Sequence, residues 1–355
     1  MEQKQQTGVV VDLFCGAGGL SHGFVREGFR VRAGFDMDPA CRHAFETNND
    51  AAFNERDVGS LKKADLAALF GKDEPTILVG CAPCQPFSTN NQRRPDHPEW
   101  RLIESFGVLI RETTPDFVSM ENVPRLKSFK GGKLLAEFRS LLEDELGYSV
   151  WCATVNCASY GVPQTRRRLV LLASRAGRIE LIPPTHQPSG FRTVRETIAH
   201  LPPLAAGGQS PDDSLHCASR MSTTNLARVR ASRPGGTWRD WDHHLVAPCH
   251  RRSSGRLYDN VYGRMIWDAP APTITTKCTG FGNGRFGHPE QDRALSLREA
   301  ALLQSFPEDY EFFAPEEPAR PQVGARMIGN AVPVALGQAI AGSVARTIGA
   351  GEGDG

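Results

Sequence analysis

Four short apolar runs, each closed by a glycine-rich turn or an acid and each leading toward a helical stretch, restrict this chain more than any other feature. They are Val9-Val10-Val11-Asp12-Leu13-Phe14, then Phe29 to Phe35 ending at Asp36, then Pro75-Thr76-Ile77-Leu78-Val79 ending at Gly80, and Asp116-Phe117-Val118-Ser119-Met120 ending at Glu121. Runs this short and this apolar read as strands buried on both faces, and strands that alternate with helices assemble a parallel sheet. Helices are expected at Leu20 to Glu27, Pro39 to Asn48 (with Pro39 in the first turn), Leu102 to Glu112 and Lys133 to Leu146. Further strands are expected at Tyr148 to Asn156 and Leu169 to Ser174. The alternation up to Ser174 predicts an α/β lobe of doubly wound, Rossmann-like type. In such sheets ligands bind outside the carboxyl ends of the strands, so the residues just after each run are the candidates for chemistry.

The chain has 355 residues, enough for two domains, and a formal charge of only +1, so any nucleic-acid surface must be local. Its 9 cysteines are odd in number and irregularly spaced, which argues against a secreted disulfide framework. The polar start, Met1-Glu2-Gln3-Lys4-Gln5-Gln6, carries no signal-peptide core. The apolar stretch Ala331 to Ala345 is interrupted by Gly337, Gln338, Gly342 and Ser343, so no run reads as clean enough to span a bilayer. A soluble cytoplasmic protein without a membrane partner is expected, with residues 349–355 as a disordered tail.

Cys15-Gly16-Ala17-Gly18-Gly19 follows the first run, and Asp36 closes the second. A glycine-rich turn after strand one with an acid after strand two is a nucleotide-binding arrangement, the acid accepting from ribose hydroxyls. The dinucleotide fingerprint is absent because Ser21 stands where its third glycine or alanine belongs, so the turn suits a ligand without a pyrophosphate; an ordinary αβ connection is the alternative. Asp57, after the polar stretch Asn54-Glu55-Arg56, either binds a ligand amine or caps the next helix.

The third run opens into Gly80-Cys81-Ala82-Pro83-Cys84-Gln85-Pro86-Phe87-Ser88. Three readings compete: two buried cysteines acting as small apolar residues, a redox pair, or one nucleophile, Cys84, with Cys81 a bystander. The redox reading needs a helix through the pair, and Pro86 opposes one. Glu121 is either a solvated strand end or a catalytic acid. In Gln164-Thr165-Arg166-Arg167-Arg168, alternation would aim Arg166 and Arg168 to one side and Arg167 to the other. Such a triplet is usually a solvated face, but here it enters an apolar strand, which favours a buried or anion-facing role for some members.

After Pro183-Pro184 the texture changes. Residues 191–292 are rich in Gly, Pro, Ser, Thr and Arg, with 13 Lys and Arg against 9 Asp and Glu, and hold Trp238, Trp241, Trp267 and six of the 10 histidines. Arginine-bearing loops with aromatics suit a nucleic-acid surface, and a loop-rich insertion that only packs on the core is the alternative. His216, Cys217, His243, His244, Cys249 and His250 lack metal-ligand spacing, so no metal is expected. Helical periodicity returns at Leu297 to Ser305, and Met327-Ile328-Gly329-Asn330-Ala331-Val332-Pro333 leads into an apolar helix, Val334 to Ala345, where Asn330 either caps or reaches a ligand.

Taken together these stretches resemble the cytosine-5 DNA methyltransferase family, in the family's motif order and over nearly the whole chain. The stretches are Asp12-Leu13-Phe14-Cys15-Gly16-Ala17-Gly18-Gly19, Pro83-Cys84-Gln85-Pro86-Phe87-Ser88, Glu121-Asn122-Val123, Gln164-x-Arg166-x-Arg168, Arg298-Glu299-Ala300-Ala301 with Phe306-Pro307, and Gly329-Asn330-Ala331-Val332-Pro333. Ala82 departs from the family's frequent Pro-Pro-Cys, and Met37 stands where an aromatic often meets the adenine.

The resemblance implies a lobe that binds S-adenosylmethionine and a smaller, loop-rich target-recognition lobe acting on double-stranded DNA. Cys84 would add to carbon 6 of a flipped-out cytosine, making carbon 5 nucleophilic. Glu121 would hold ring nitrogen 3 and the amino group, Arg166 would help position the base and balance charge, and Arg168 would support the loop. Phe14, Gly16, Gly18, Gly19, Leu20, Asp36, Met37, Asp57, Val58 and Asn330 would line the cofactor site. Gln85, Ser88, Thr273, Thr275, Arg251 and Arg252 would contact DNA. The expected division is residues 1–190 for the catalytic lobe, 191–320 for the recognition lobe and hinge, and 321–348 for a segment returning to the catalytic lobe. A monomer is expected. Whether a cognate restriction endonuclease accompanies the enzyme, acting separately, stays open. Methylation of cytosine in RNA and a catalytically silent DNA-binding regulator are the competing functions.

Overall fold

The computed structural model describes residues 8–71, 73–83, 100–255 and 257–351. The chain divides into two compact units: Met1–Tyr160, Arg167–Thr185 and Val332–Gly355 form the first, Gly161–Arg166 and His186–Ala331 the second. In chain order the elements are β1 (Val9–Leu13), α1 (Gly19–Arg26), β2 (Arg30–Asp36), α2 (Arg42–Asn49), β3 (Ala52–Glu55), α3 (Lys63–Ala67), β4 (Thr76–Gly80), α4 (Arg101–Thr113), β5 (Phe117–Asn122), α5 (Lys133–Ser140) and β6 (Ser149–Asn156). They continue with β7 (Gln164–Thr165), β8 (Arg167–Ser174), α6 (Val194–Ile198), α7 (Thr223–Ala231), β9 (Ala271–Pro272), α8 (Leu297–Leu303), α9 (Pro321–Asn330) and α10 (Val334–Gly351).

The first unit holds a seven-stranded sheet in the order β3-β2-β1-β4-β5-β8-β6. β1 to β5 run parallel, and β8 lies antiparallel between β5 and β6. The central strands are buried at every residue of β1 and β5, which is why the sequence shows continuous apolar runs there rather than alternation. Helix α4 buries Ile103, Phe106, Leu109 and Ile110, a helical spacing that packs into the same core as Leu78, Val118 and Leu171. It stops at Thr114, left-handed at φ 42°, just before Pro115. Helix α10 packs on α1, and the approach is close: a Cβ on Gly23 would lie 2.4 Å from the Gly337 carbonyl carbon.

Several boundaries differ from the sequence reading. The expected helix over Pro39 to Asn48 begins as a 3-10 turn, Pro39–Cys41, capped by Asp38, before α2 starts. The expected Lys133 to Leu146 helix widens into a π turn over Leu141–Glu145. The segment 321–331 packs with the second unit, so the first resumes at Val332 where the sequence reading set the return at 321. Asn330 closes α9 and does not cap α10. α10 runs to Gly351, past the start set for a tail at 349. One stretch, Pro321–Ala350, is long and apolar enough by length and composition to cross a membrane, contrary to the sequence reading. Its apolarity has a nearer use, since most of it is buried inside the fold and Ala331 to Pro333 breaks it in two.

The second unit has little regular structure. Its only sheet, among the described residues, is the two-residue parallel pair β7–β9. One apolar cluster gathers Val229, Trp238, Trp241, Phe281 and Ala294. Buried arginines supply much of the remaining cohesion. Arg264 donates to the carbonyls of Val229, Ser232, His288 and Gln291 and to Asp292, while Arg293 makes a two-pronged pair with Glu299 at 2.6 and 2.7 Å.

Candidate active site

The first focus is at the carboxyl ends of β1 and β2. Phe14, Gly16 and Gly18 take left-handed φ values of 63°, 51° and 87°, which turn the chain sharply between β1 and α1. Glycine suits two of these positions, and a Cβ on Gly16 would meet nothing within 4 Å, so the turn is open on that side. Gly19 and Leu20 start α1 and are buried. Asp36 closes β2: Oδ2 accepts from the Gly16 amide and Oδ1 from the Asp38 amide, both at 2.9 Å. The carboxylate is thus tied to the turn with lone pairs left for hydroxyl donors. Burial pushes its pKa up, opposed by the amide donors. Met37, next to it, exposes 67% of its surface, a thioether set out to meet a flat apolar group. Val58 is buried. Asp57 accepts from the Gly59 amide at 2.9 Å, so the capping role weighed for it is realised. A carboxylate for hydroxyls, an exposed thioether and an open turn without a cation fit a nucleoside that carries no pyrophosphate.

Beneath this turn lies a residue the sequence reading passed over. Asp12, within β1, is buried and accepts from the Ser21 hydroxyl at 2.7 Å. Burial pushes its pKa up to about 7, with the Asp36 charge adding to the rise. An acid inside an otherwise apolar strand was the available signal.

The second focus is at the ends of β4 and β5, paired in parallel with Gly80 opposite Met120. Glu121 is 2% exposed. Its Oε1 lies 2.8 Å from Arg168 Nε, but the N–H is not aligned for a hydrogen bond, so among the described residues that oxygen keeps its accepting capacity. The Cys81 thiol donates to Oε2 at 2.9 Å. Asn122 donates to the Ala82 carbonyl at 3.0 Å, tying the end of β5 to the residues that lead toward Cys84. Cys84, Gln85 and Ser88 lie outside the described residues.

The arginine triplet departs from the sequence reading. Arg166 sits between β7 and β8, not in a continuous strand, so strand alternation does not relate it to Arg168. It donates to the carbonyls of Ile274, Gly329 and Ala331 at 2.8, 3.3 and 3.4 Å, all in the second unit. Arg168, in β8 of the first unit, is the arginine at Glu121.

Gln164 is buried in the second unit, donating to the Leu303 carbonyl at 2.7 Å and accepting from the Ile274 amide at 3.0 Å. Thr273 donates to the Thr165 carbonyl at 2.8 Å, and Thr275 is exposed. Arg251 and Arg252 are exposed, and Arg251 donates to the His243 carbonyl. Asn330 is exposed and belongs to the second unit, whereas every other candidate for the cofactor belongs to the first.

Comparison with known proteins adds what geometry alone does not supply. The family profile described as C-5 cytosine-specific DNA methylase matches residues 9–346. Type II methylase M.HgiDII of Herpetosiphon aurantiacus is 52% identical over 339 residues, covering 96% of this chain and 95% of that protein. Type II methyltransferase M1.HphI of Haemophilus parahaemolyticus is 34% identical, covering 94% of this chain and 86% of that one. Among solved structures, a prophage-encoded E. coli protein described as a DNA modification methyltransferase superposes with a TM-score of 0.73 at 21% identity, covering 96% of this chain and 99% of its own. The S. pombe Dnmt2 methyltransferase does so with a TM-score of 0.59 at 16% identity, covering 98% of this chain and 99% of its own. At those identities the two structures bear on the fold alone.

Proposed function

The chain belongs to the C-5 cytosine-specific DNA methylase family, and on that premise we propose that it methylates carbon 5 of a flipped-out cytosine within one short DNA sequence, with Cys84 as nucleophile. It is a DNA (cytosine-5) methyltransferase of the Type II restriction–modification kind. S-adenosylmethionine, held by Asp36, Met37 and the turn from Phe14 to Leu20, with Val58 and Asp57 as further contacts, would supply the electrophilic methyl group.

The observation that carries the reading is the pairing of Glu121 with Arg168 at the carboxyl end of β5, tied to the residues that lead toward Cys84. Cytosine carbon 5 is a weak nucleophile while the ring is aromatic. Addition of the Cys84 thiolate to carbon 6 makes carbon 5 enamine-like, and once carbon 5 carries the methyl group, loss of its proton and departure of the thiolate from carbon 6 restore the ring. The added electron density moves toward ring nitrogen 3 and the exocyclic amine, where Glu121, through Oε1, holds a proton or a donor. Arg168 offsets the carboxylate's charge in a buried setting. Arg166 acts through the second unit, holding the Ile274 carbonyl between Thr273 and Thr275, which would meet the DNA backbone. Gln85, Ser88, Arg251 and Arg252 are further contacts to phosphate or sugar in this reading. The protein would act as a monomer on double-stranded DNA, with any cognate endonuclease acting separately.

The test is base-resolution methylation sequencing of a bacterial host that lacks cytosine methylation of its own. Expression should place methylcytosine at one short motif, and Cys84→Ala should remove it. A blank genome from folded protein would overturn the DNA substrate, and tRNA would then be assayed. Retained methylation in Cys84→Ala would overturn the nucleophile.

A further inference from the structure

Cys81 stands three residues before the nucleophile, and the sequence reading treats it as a bystander. Its surroundings say otherwise. The Cys81 amide donates to the Leu13 carbonyl at 3.3 Å, continuing the β1–β4 ladder one residue past the strand, and this fixes the backbone from which the side chain projects. The thiol then reaches across to the neighbouring strand end and donates to Glu121 Oε2 at 2.9 Å. Arg168 holds the other oxygen of the same carboxylate. The Asn122–Ala82 bond, one residue on from each partner, closes a second link between the same two chain ends. Among the described residues the Cys81 thiol therefore makes the hydrogen bond to the Glu121 carboxylate, with Arg168 beside its other oxygen as an ion pair.

We infer that Cys81 is a positioning residue for Glu121, its thiol orienting the carboxylate so that Oε1 is presented to the cytosine ring. The inference rests on the base-holding role proposed for Glu121. A carboxylate on a two-carbon stem has broad freedom about its last torsion, and a buried one held at a single oxygen still swings. The thiol is a weak donor, which suits this position: it restrains the group without drawing charge from it as a second cation would. The link is also local to one side chain, because the backbone bonds on either side of it do not depend on the thiol.

The test compares Cys81→Ala, Cys81→Ser and Glu121→Gln, alone and combined, in steady-state methyl transfer and in exchange of the cytosine carbon-5 hydrogen with solvent in the absence of cofactor. Exchange reports addition at carbon 6 directly. Cys81→Ala should lower kcat and the exchange rate together by about tenfold, the rate equivalent of one ordinary hydrogen bond, with KM for DNA unchanged. Cys81→Ser, which supplies a donor at the same place, should restore most of both rates. In the Glu121→Gln background, Cys81→Ala should add little, because the two act as one unit. Equal rates for wild type and Cys81→Ala, or a Cys81→Ser variant as slow as Cys81→Ala, would overturn the inference. If Glu121→Gln itself turns over normally, it is the role proposed for Glu121 that fails. A matched thermal melt for each variant separates loss of fold from loss of positioning.

Discussion

The two units of this protein are held together by different means. In the sheet unit the backbone satisfies itself: ladders join β1 to its neighbours, the helices close their own bonds, and apolar side chains do the rest. Asp12 and Glu121 are the only charged side chains fully buried there among the described residues, and both lie at the functional edge of the sheet. In the second unit, with few ladders, buried side chains take over that duty. Arg166, Arg264 and Arg293 are buried there with Glu299, His216, His250 and His288, and most of their bonds run to backbone carbonyls. Regular structure leaves polar burial free for chemistry, whereas irregular structure spends it on cohesion. A buried charge marks the candidate site in one unit and the architecture in the other.

The sharpest way to break this contrast is to remove an arginine from each unit. Arg264→Met takes a donor from four carbonyls and from Asp292, which keeps Arg230, and should destabilise the second unit by about 2–4 kcal/mol in urea unfolding. Arg168→Met should cost activity, and because it strands a carboxylate that is 2% exposed it should lower the melting temperature as well, a loss that Glu121→Gln in the same chain should restore. If Arg168→Met unfolds the protein while Arg264→Met does not, the division of labour is wrong.

Acid should also act on the two units with opposite sign. His288 accepts from the Glu290 and Gln291 amides, and burial lowers its pKa from 6.5 to about 4, with Arg293, Arg264 and His216 opposing its charge and Glu299 favouring it. Its unfolded form takes a proton before the folded form does. Stability from His288 is therefore full above pH 6.5 and lost as pH falls toward 4, a loss on the order of 2–3 kcal/mol. Asp12 has its pKa raised from 3.8 to about 7, so the folded form holds its proton the longer. Stability from Asp12 is full below pH 3.8 and lost as pH rises through 7. Asp12→Asn should stabilise the protein at pH 8 and leave it unchanged at low pH, whereas His288→Gln should flatten the acid limb. Unfolding free energies of both variants from pH 4 to pH 8 check the two signs.

A smaller effect sharpens the packing side of the comparison. Gly23→Ala places a methyl 2.4 Å from the Gly337 carbonyl carbon, and should cost about 1–3 kcal/mol by forcing α1 from α10, read as a lower melting temperature. The smallest belongs to the second unit. The Thr193 side chain accepts from the Glu196 amide at the start of α6, and Thr193→Ala should cost about 1 kcal/mol in the same melt.

Much of the sheet unit was legible in the chain. Buried parallel strands demand continuous β-branched and apolar runs, so Val9 to Leu13, Ile77 to Val79 and Phe117 to Met120 announced themselves, and the glycine turn and Asp36 followed by position. Helix ends were less legible, because the 3-10 and π turns at Pro39–Cys41 and Leu141–Glu145 are too short for their different spacing to show in the apolar pattern. What lies between elements far apart in the chain was not legible at all. Nothing in the order of residues says that Arg168 meets Glu121 while Arg166 turns to Ile274, or that the Cys81 thiol reaches the same carboxylate. The loop-rich second unit was readable only as composition, since its arginines find carbonyls up to 165 residues away and no local periodicity records such partners. The sequence by itself determined which side chains were available and where each strand would end. Only the tertiary structure decided which of them face one another, because side-chain contact depends on strand order and register across the sheet, and these are set by packing of the whole chain.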